Sequence, residues 1–150
     1  MQLVLRPDND PILRTKCIPV AKITKDLVSF SYHMLETMYI FEAVGLAAPQ
    51  VGNDNQIIVV DCSQERNPKK AIIMFNPKII WKSSKTVICG EGCLSLPGET
   101  VNVERSEVIT TEFLDTFGNR RLLQSTGLES ICIQHEVDHL NGILMTDYIS

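Results

Sequence analysis

Gln134-His135-Glu136-Val137-Asp138-His139-Leu140-Asn141-Gly142 places two histidines four residues apart, with a glutamate beside the first. On an α-helix, residues four apart are rotated by only about 40° and stand one turn apart, so His135 and His139 can reach one ion. Glu136 lies about 60° from His139 around the axis and can approach a water at such an ion without ligating it. Leu128, Ile131 and Cys132 fall on the histidine face one and two turns earlier. The histidines therefore stand on a buried stripe. Two of the chain's three histidines are spent here, which speaks against a chance motif on a solvated helix. Thr126-Gly127-Leu128-Glu129 fits a capping box at the start of this helix, and Asn141-Gly142 predicts its end at a left-handed residue.

Two imidazoles leave a divalent ion undersupplied, because a catalytic site typically takes three protein ligands and keeps one position open. The best third ligand is Cys93, in Gly90-Glu91-Gly92-Cys93-Leu94-Ser95. A thiolate binds Fe or Zn strongly, and the glycines before it allow close approach of the backbone. Cys89 ends an Ile/Val run and reads as a core residue. Cys17 and Cys62 have no ligand-like context, and Cys132 shares the histidine face, where it can line a pocket.

Around these segments the chain reads as one domain, residues 1–150. With 44% hydrophobic and 21% charged residues it has the material for a core, which excludes disorder. The net charge of −4 and the lack of a long basic run argue against nucleic-acid readout. Five cysteines at irregular spacing do not form a secreted disulfide framework, so reduced thiols in the cytoplasm are expected. No apolar run reaches membrane-spanning length. The segment from Met1 to Pro11 carries Arg6, Asp8 and Asp10 instead of an apolar signal core. An organellar location follows only if a transit segment has been removed.

A front helix is predicted from an N-cap at Thr24, with Leu27, Phe30, Met34, Leu35, Met38 and Phe41 as its buried stripe. His33 lies off that stripe and reads as a surface histidine. Residues 56–62, 71–75, 78–82 and 86–89 read as strands, separated by Pro, Asn, Ser and Lys. Residues 107–114 alternate less cleanly, and Asp115-Thr116-Phe117-Gly118-Asn119 reads as a hairpin turn into 120–123. Short, close strands favour antiparallel pairing. The expected fold is α+β: mostly antiparallel sheets packed around a C-terminal metal-binding helix, with one N-terminal helix. Only eight residues follow Gly142, too few for another substantial element.

One further segment follows the front helix: Ala43-Val44-Gly45-Leu46-Ala47-Ala48-Pro49-Gln50-Val51-Gly52. Alone it reads as a tight helix-to-strand connection, with Gln50 offering an amide donor. Taken together, Ala43 to Gln50, Glu91 to Ser95 and Gln134 to Gly142 resemble, in that order, the three motifs of the peptide deformylase family. The resemblance extends to Arg6-Pro7-Asp8, Pro11-Ile12-Leu13-Arg14, Glu36-Thr37-Met38-Tyr39 and Phe75-Asn76-Pro77.

That resemblance implies an enzyme that removes the N-formyl group from the initiator formylmethionine of nascent polypeptides and releases formate. It implies that Cys93, His135 and His139 hold Fe(II), which Ni, Co or Zn can replace. A metal-bound hydroxide would attack the formyl carbon, with Glu136 as general base and acid. Gln50 and the backbone amide of Leu94 would stabilise the oxyanion. Val44, Gly45, Glu91, Leu128, Ile131 and Cys132 would border the methionine side-chain pocket, and an ion pair between Glu91 and Arg105 would fix its wall. The expected partners are N-formylmethionyl peptides, and a monomer is expected.

Ala43 stands where the family usually has glycine, which would narrow the pocket or groove. Gly90 replaces a second Glu of many members, and Thr100 stands where some bacterial members have arginine. The chain stops soon after the metal helix, as in compact phage-encoded or minimal bacterial versions. Any ribosome docking would then proceed without a C-terminal helix. The expected location is the cytoplasm of a bacterial or phage-infected cell.

Two other function classes compete. A zincin-type endopeptidase shares H-E-x-x-H but needs a third His or Glu downstream, and none follows His139. A non-catalytic metal-binding module needs a fourth protein ligand closing the site, and gives Glu136 no purpose.

Overall fold

Thr24 caps the first helix, α1 (Lys25–Ile40), by accepting the Leu27 amide on its hydroxyl at 3.2 Å. The computed structural model describes residues 2–149. Of the predicted stripe, Met34, Leu35 and Met38 are buried, and Leu27 and Phe30 pack at the margin of the same core. Phe41 departs from it. It is the C-cap residue, 39% exposed, because the chain leaves the helix there and turns through Glu42 at φ 56°. His33 is half-buried.

Seven strands follow: β1 (Gly45–Ala47), β2 (Ile57–Val60), β3 (Ile72–Lys82), β4 (Thr86–Cys93), β5 (Leu96–Ser106), β6 (Val108–Leu114) and β7 (Arg120–Thr126). They form a five-stranded sheet in the order β1-β2-β3-β6-β7 and a two-stranded sheet β4-β5, and every strand pair is antiparallel. The segments 71–75 and 78–82 are one strand, β3. Asn76 and Pro77, which look like a separator, sit at an irregularity where β3 shifts register against β6. Proline is tolerated at such a break. Asn76 takes φ 53°, and its side-chain amide exchanges hydrogen bonds with the Val20 backbone at 2.7 and 2.9 Å.

The run Ile57-Ile58-Val59-Val60 is apolar throughout because β2 is covered on both faces. Ile57 and Val59 pack with α1 residues, and Ile58 and Val60 with Cys132, Ile133 and Leu140 of the second helix, α2 (Leu128–Leu140). A smaller core joins Leu13, Val101, Val103, Leu144 and Met145 beneath the two-stranded sheet. The second helix thus lies between the sheets, with Ser130 to Glu136 all buried. The α+β expectation is met.

The capping box is not. Thr126 is the last residue of β7, paired with Val108, and Gly127 is the helix cap at φ 63° with no side-chain cap bond. Glu129 instead accepts the Ser125 hydroxyl at 2.7 Å. Strand pairing holds Thr126 away from the cap position.

The other end follows the sequence. Gly142 takes φ 72°, and its amide and that of Ile143 close onto His139 and Asp138 carbonyls at 3.2 and 2.9 Å. A Cβ at Gly142 would lie 2.6 Å from the Arg14 carbonyl oxygen. Gly142→Ala is therefore expected to destabilise the fold by about 2 kcal/mol or more, combining the left-handed penalty with backbone overlap. Urea unfolding measures it, and a midpoint equal to wild type would show that the 140–144 turn yields freely.

Candidate metal centre

Cys93 ends β4 opposite Leu96, just past a break in the β4–β5 register. This break turns its thiol toward α2. The Cys93 Sγ lies 3.4 Å from His139 Nε2, and the two histidine Nε2 atoms are 3.2 Å apart. All three ligand atoms fall within 4.8 Å of one another. The glycines before Cys93 are not what creates the close approach among protein atoms. An added Cβ at Gly90 or Gly92 would meet only ordinary contacts. The tight position is Gly45, where a Cβ would lie 2.6 Å from Glu136 Oε2 and 3.0 Å from Cys132 Sγ.

The donor chemistry fits a cation. His135 Nδ1 is 2.8 Å from Glu91 Oε1. A carboxylate only accepts, so Nδ1 carries a proton, and a metal ion at Nε2 would take the place of the second one. Burial and the neighbouring His135 charge push His139 down to about 3, which leaves it a neutral donor. Burial would lower His135 too. The Cys93 thiol with the Glu136 and Glu91 carboxylates outweighs it and raises this histidine to about 10. The cluster thus favours a positive charge between the thiol and the two ring nitrogens, which a proton on His135 supplies here and a bound metal ion would supply in its place.

Behind His135 stands a buried ion pair. Arg105 reaches both Glu91 oxygens at 2.8 and 2.9 Å, and a third nitrogen binds Asp138 at 2.6 Å. Tyr148 donates to Asp138 at 2.7 Å, with its ring against the guanidinium at 4.8 Å. Burial would raise Glu91, but its bonds to Arg105 and His135 hold it below the usual carboxylate value. The Glu91–Arg105 pairing is where the sequence comparison put it. Asp138 and Tyr148 extend it, and neither carried a role in the sequence.

Glu136 is 4% exposed, and its Oε1 has no hydrogen-bond partner. Burial is the first cause of a rise to about 7. Gln50 is buried with its orientation fixed: Oε1 accepts the Ala47 amide at 2.9 Å, while Nε2 points to Ser95 Oγ at 3.2 Å and Cys93 Sγ at 3.5 Å. Ser95 is buried and had no assigned part in the sequence. Gln50, Cys93, Leu94, Glu136 and Gly45 line one cavity of about 390 Å³. A side pocket of about 130 Å³ adjoins it, bordered by Val44, Glu91, Leu128, Ile131 and Cys132. Cys89 borders this pocket too, half-buried, and belongs to no core. That corrects its assignment as a packing residue: β4 runs on to Cys93, so Cys89 lies mid-strand. Ala43 lines the cavity wall and also packs toward the α1 core. Phe41, Glu42 and Glu99 complete the mouth. Phe41 and Glu42 follow the end of α1 and Glu99 is an exposed residue of β5, and none of them carries a site signature in the sequence.

The pattern of the family described as Polypeptide deformylase matches residues 3–150. The chain belongs to this family. It is 40% identical over 148 residues to a peptide deformylase of Rhizobium meliloti, covering 99% of this chain and 84% of that one. Its fold superposes on the Thermotoga maritima peptide deformylase with a TM-score of 0.94 at 37% identity, covering 100% and 99% of the two chains. A Met-Ala-Ser-bound peptide deformylase of Acinetobacter baumannii gives 0.92 at 33% identity, covering 99% of each. Deformylases are metal-dependent hydrolases, and Cys93, His135 and His139 form the candidate metal site of this member. A zincin shares only the helix, whereas the family match includes the Cys93 segment. Among the described residues no fourth donor joins the cluster, as a closed binding module would require.

The ion pair sets a measurable expectation for this deformylase. Arg105→Leu would leave Glu91, 6% exposed, with His135 as its remaining partner. The expected cost is about 3 to 5 kcal/mol of stability and about 10- to 100-fold in metal affinity, since the partner that orients a ligating histidine is loosened. Metal titration and denaturant unfolding read both. Unchanged metal affinity would separate the pair from the site.

Proposed function

We propose that Cys93, His135 and His139 hold one ferrous ion, which Ni, Co or Zn can replace, and that Glu136 works beside it as general base and acid. The observation that carries this is the unpartnered Glu136 oxygen, buried at a cavity that also holds Gln50 and Cys93. When bound, the ion supplies Lewis acidity, lowering the pKa of water and polarising the formyl oxygen.

The residues do the rest. The formyl group of formylmethionyl peptides enters the cavity beside Gly45, and the methionine side chain takes the side pocket between Val44, Leu128, Ile131 and Cys132, with Glu91 on its wall. Gly45 itself lines the main cavity and not this pocket. Water adds to the formyl carbon while Glu136 takes its proton. Gln50 Nε2 and the Leu94 amide donate to the oxygen on which charge grows. Glu136 then passes the proton to the amine nitrogen as the carbon–nitrogen bond breaks, giving formate and a free methionyl N-terminus. Residues 1–150 act as one catalytic domain, as a cytoplasmic monomer without nucleic-acid readout.

The test is formate release from formyl-Met-Ala by anaerobically purified protein, with metal content measured and an internal-bond peptide as the control. Formate without endoproteolysis supports the reading. Endoproteolysis without formate overturns it.

A further inference from the structure

The cavity wall made by residues 41–45 is held from outside by a network that the reaction does not use. Glu42 sits at φ 56° in this wall, a conformation that a non-glycine residue keeps only when its surroundings impose it. Two successive carbonyls of the wall are captured by one loop. Val44 O accepts the Asp61 amide at 2.8 Å, and Ala43 O accepts an N–H of the Arg66 guanidinium. A second Arg66 nitrogen binds Asp61 O at 2.5 Å, and the guanidinium stacks 5.1 Å from the centre of the Tyr39 ring, in the last turn of α1. The Tyr39 hydroxyl donates to Asp61 Oδ2 at 2.5 Å, and Ser63 occupies Oδ1 through both its amide and its hydroxyl. Asp61 is 1% exposed. Arg66 itself takes φ 51°. Two unfavourable backbone positions, at 42 and 66, thus belong to the two segments that this guanidinium joins.

We propose that Arg66 is a positioning residue for the peptide-binding wall. By fixing the Ala43 carbonyl, it holds residues 41–44 in the conformation that receives the part of the substrate beyond the formylated methionine. The Cys93, His135 and His139 cluster lies outside this network. The inference rests on the deformylase reaction proposed above. It assigns Arg66 to peptide engagement and leaves the chemical step to Glu136.

The test compares Arg66→Met and Arg66→Lys with wild type on two substrates, formyl-methionine amide and formyl-Met-Ala-Ser, with metal content measured. Arg66→Met is expected to raise KM for the tripeptide about tenfold, the scale of a lost charge-assisted bond. Its kcat and metal content should stay near wild type, with little change on the amide. Arg66→Lys keeps the charge with a single point donor and should fall between. Equal loss on both substrates, or loss of metal, would overturn the proposal and make Arg66 a fold residue only. An unchanged KM for the tripeptide in either soluble variant would also overturn it. A wild-type protein that releases no formate from either substrate sinks the reaction itself, and this role with it.

Discussion

Cys93→Ala is expected to yield a folded protein with neither bound metal nor turnover. Among the described residues the Cys93 thiol is the cysteine sulfur that falls within 4.8 Å of both histidine ligand atoms. Its removal leaves two imidazoles, one short of the three protein ligands a catalytic site typically needs. Loosening a partner outside the ligand set costs about 10- to 100-fold in affinity, so deleting a ligand should exceed the upper end of that range. The fold should survive. Cys93 is only half-buried at the edge of the Leu96 and Val101 cluster, and the second helix is anchored independently through Ile133 and Leu140. Metal per chain, formate release and thermal midpoint separate the effects. Stoichiometric metal with normal turnover would remove Cys93 from the site. A collapsed midpoint would make the lost activity a folding effect.

Much of this site is legible in the sequence because it rests on periodicity. A four-residue spacing brings His135 and His139 onto one face whatever surrounds them, and the same arithmetic gives Met34, Leu35 and Met38. Cys93 is legible by chemistry, as the cysteine in a glycine-rich turn, but the register break that aims it is not. β1 has only three residues, Gly45–Ala47, and reads as a connection. β5 hides its alternation because its last inward position is Arg105, whose buried charge is satisfied by Glu91 and Asp138, far away in sequence. The capping box at Thr126 fails for a similar reason: the strand ladder claims the residue before the helix can. Arg66 carries no local signature at all, since its meaning lies in the Ala43 carbonyl across the fold.

Glu136→Gln should separate chemistry from binding most sharply. Glu136 is outside the ligand cluster, so metal content is expected to stay at the wild-type level. The side chain is nearly isosteric, and it must be, because Glu136 Oε2 lies against Gly45, where an added Cβ would come within 2.6 Å. A glutamine amide cannot take a proton from water or return one to the leaving amine. Turnover should fall by about 10²- to 10⁴-fold, the usual contribution of a positioned acid–base group. Stability should move the other way or stay level. Glu136 is 4% exposed with one oxygen unpartnered, and burying a charge without partners costs more than burying a neutral amide. A residue kept against stability is what a working site predicts. Three measurements on the one variant decide it: metal per chain, kcat on formyl-Met-Ala and thermal midpoint. Near-wild-type kcat would sink the general-base role. Loss of metal would make Glu136 part of the ion's own environment, and a large drop in midpoint would make its carboxylate structural.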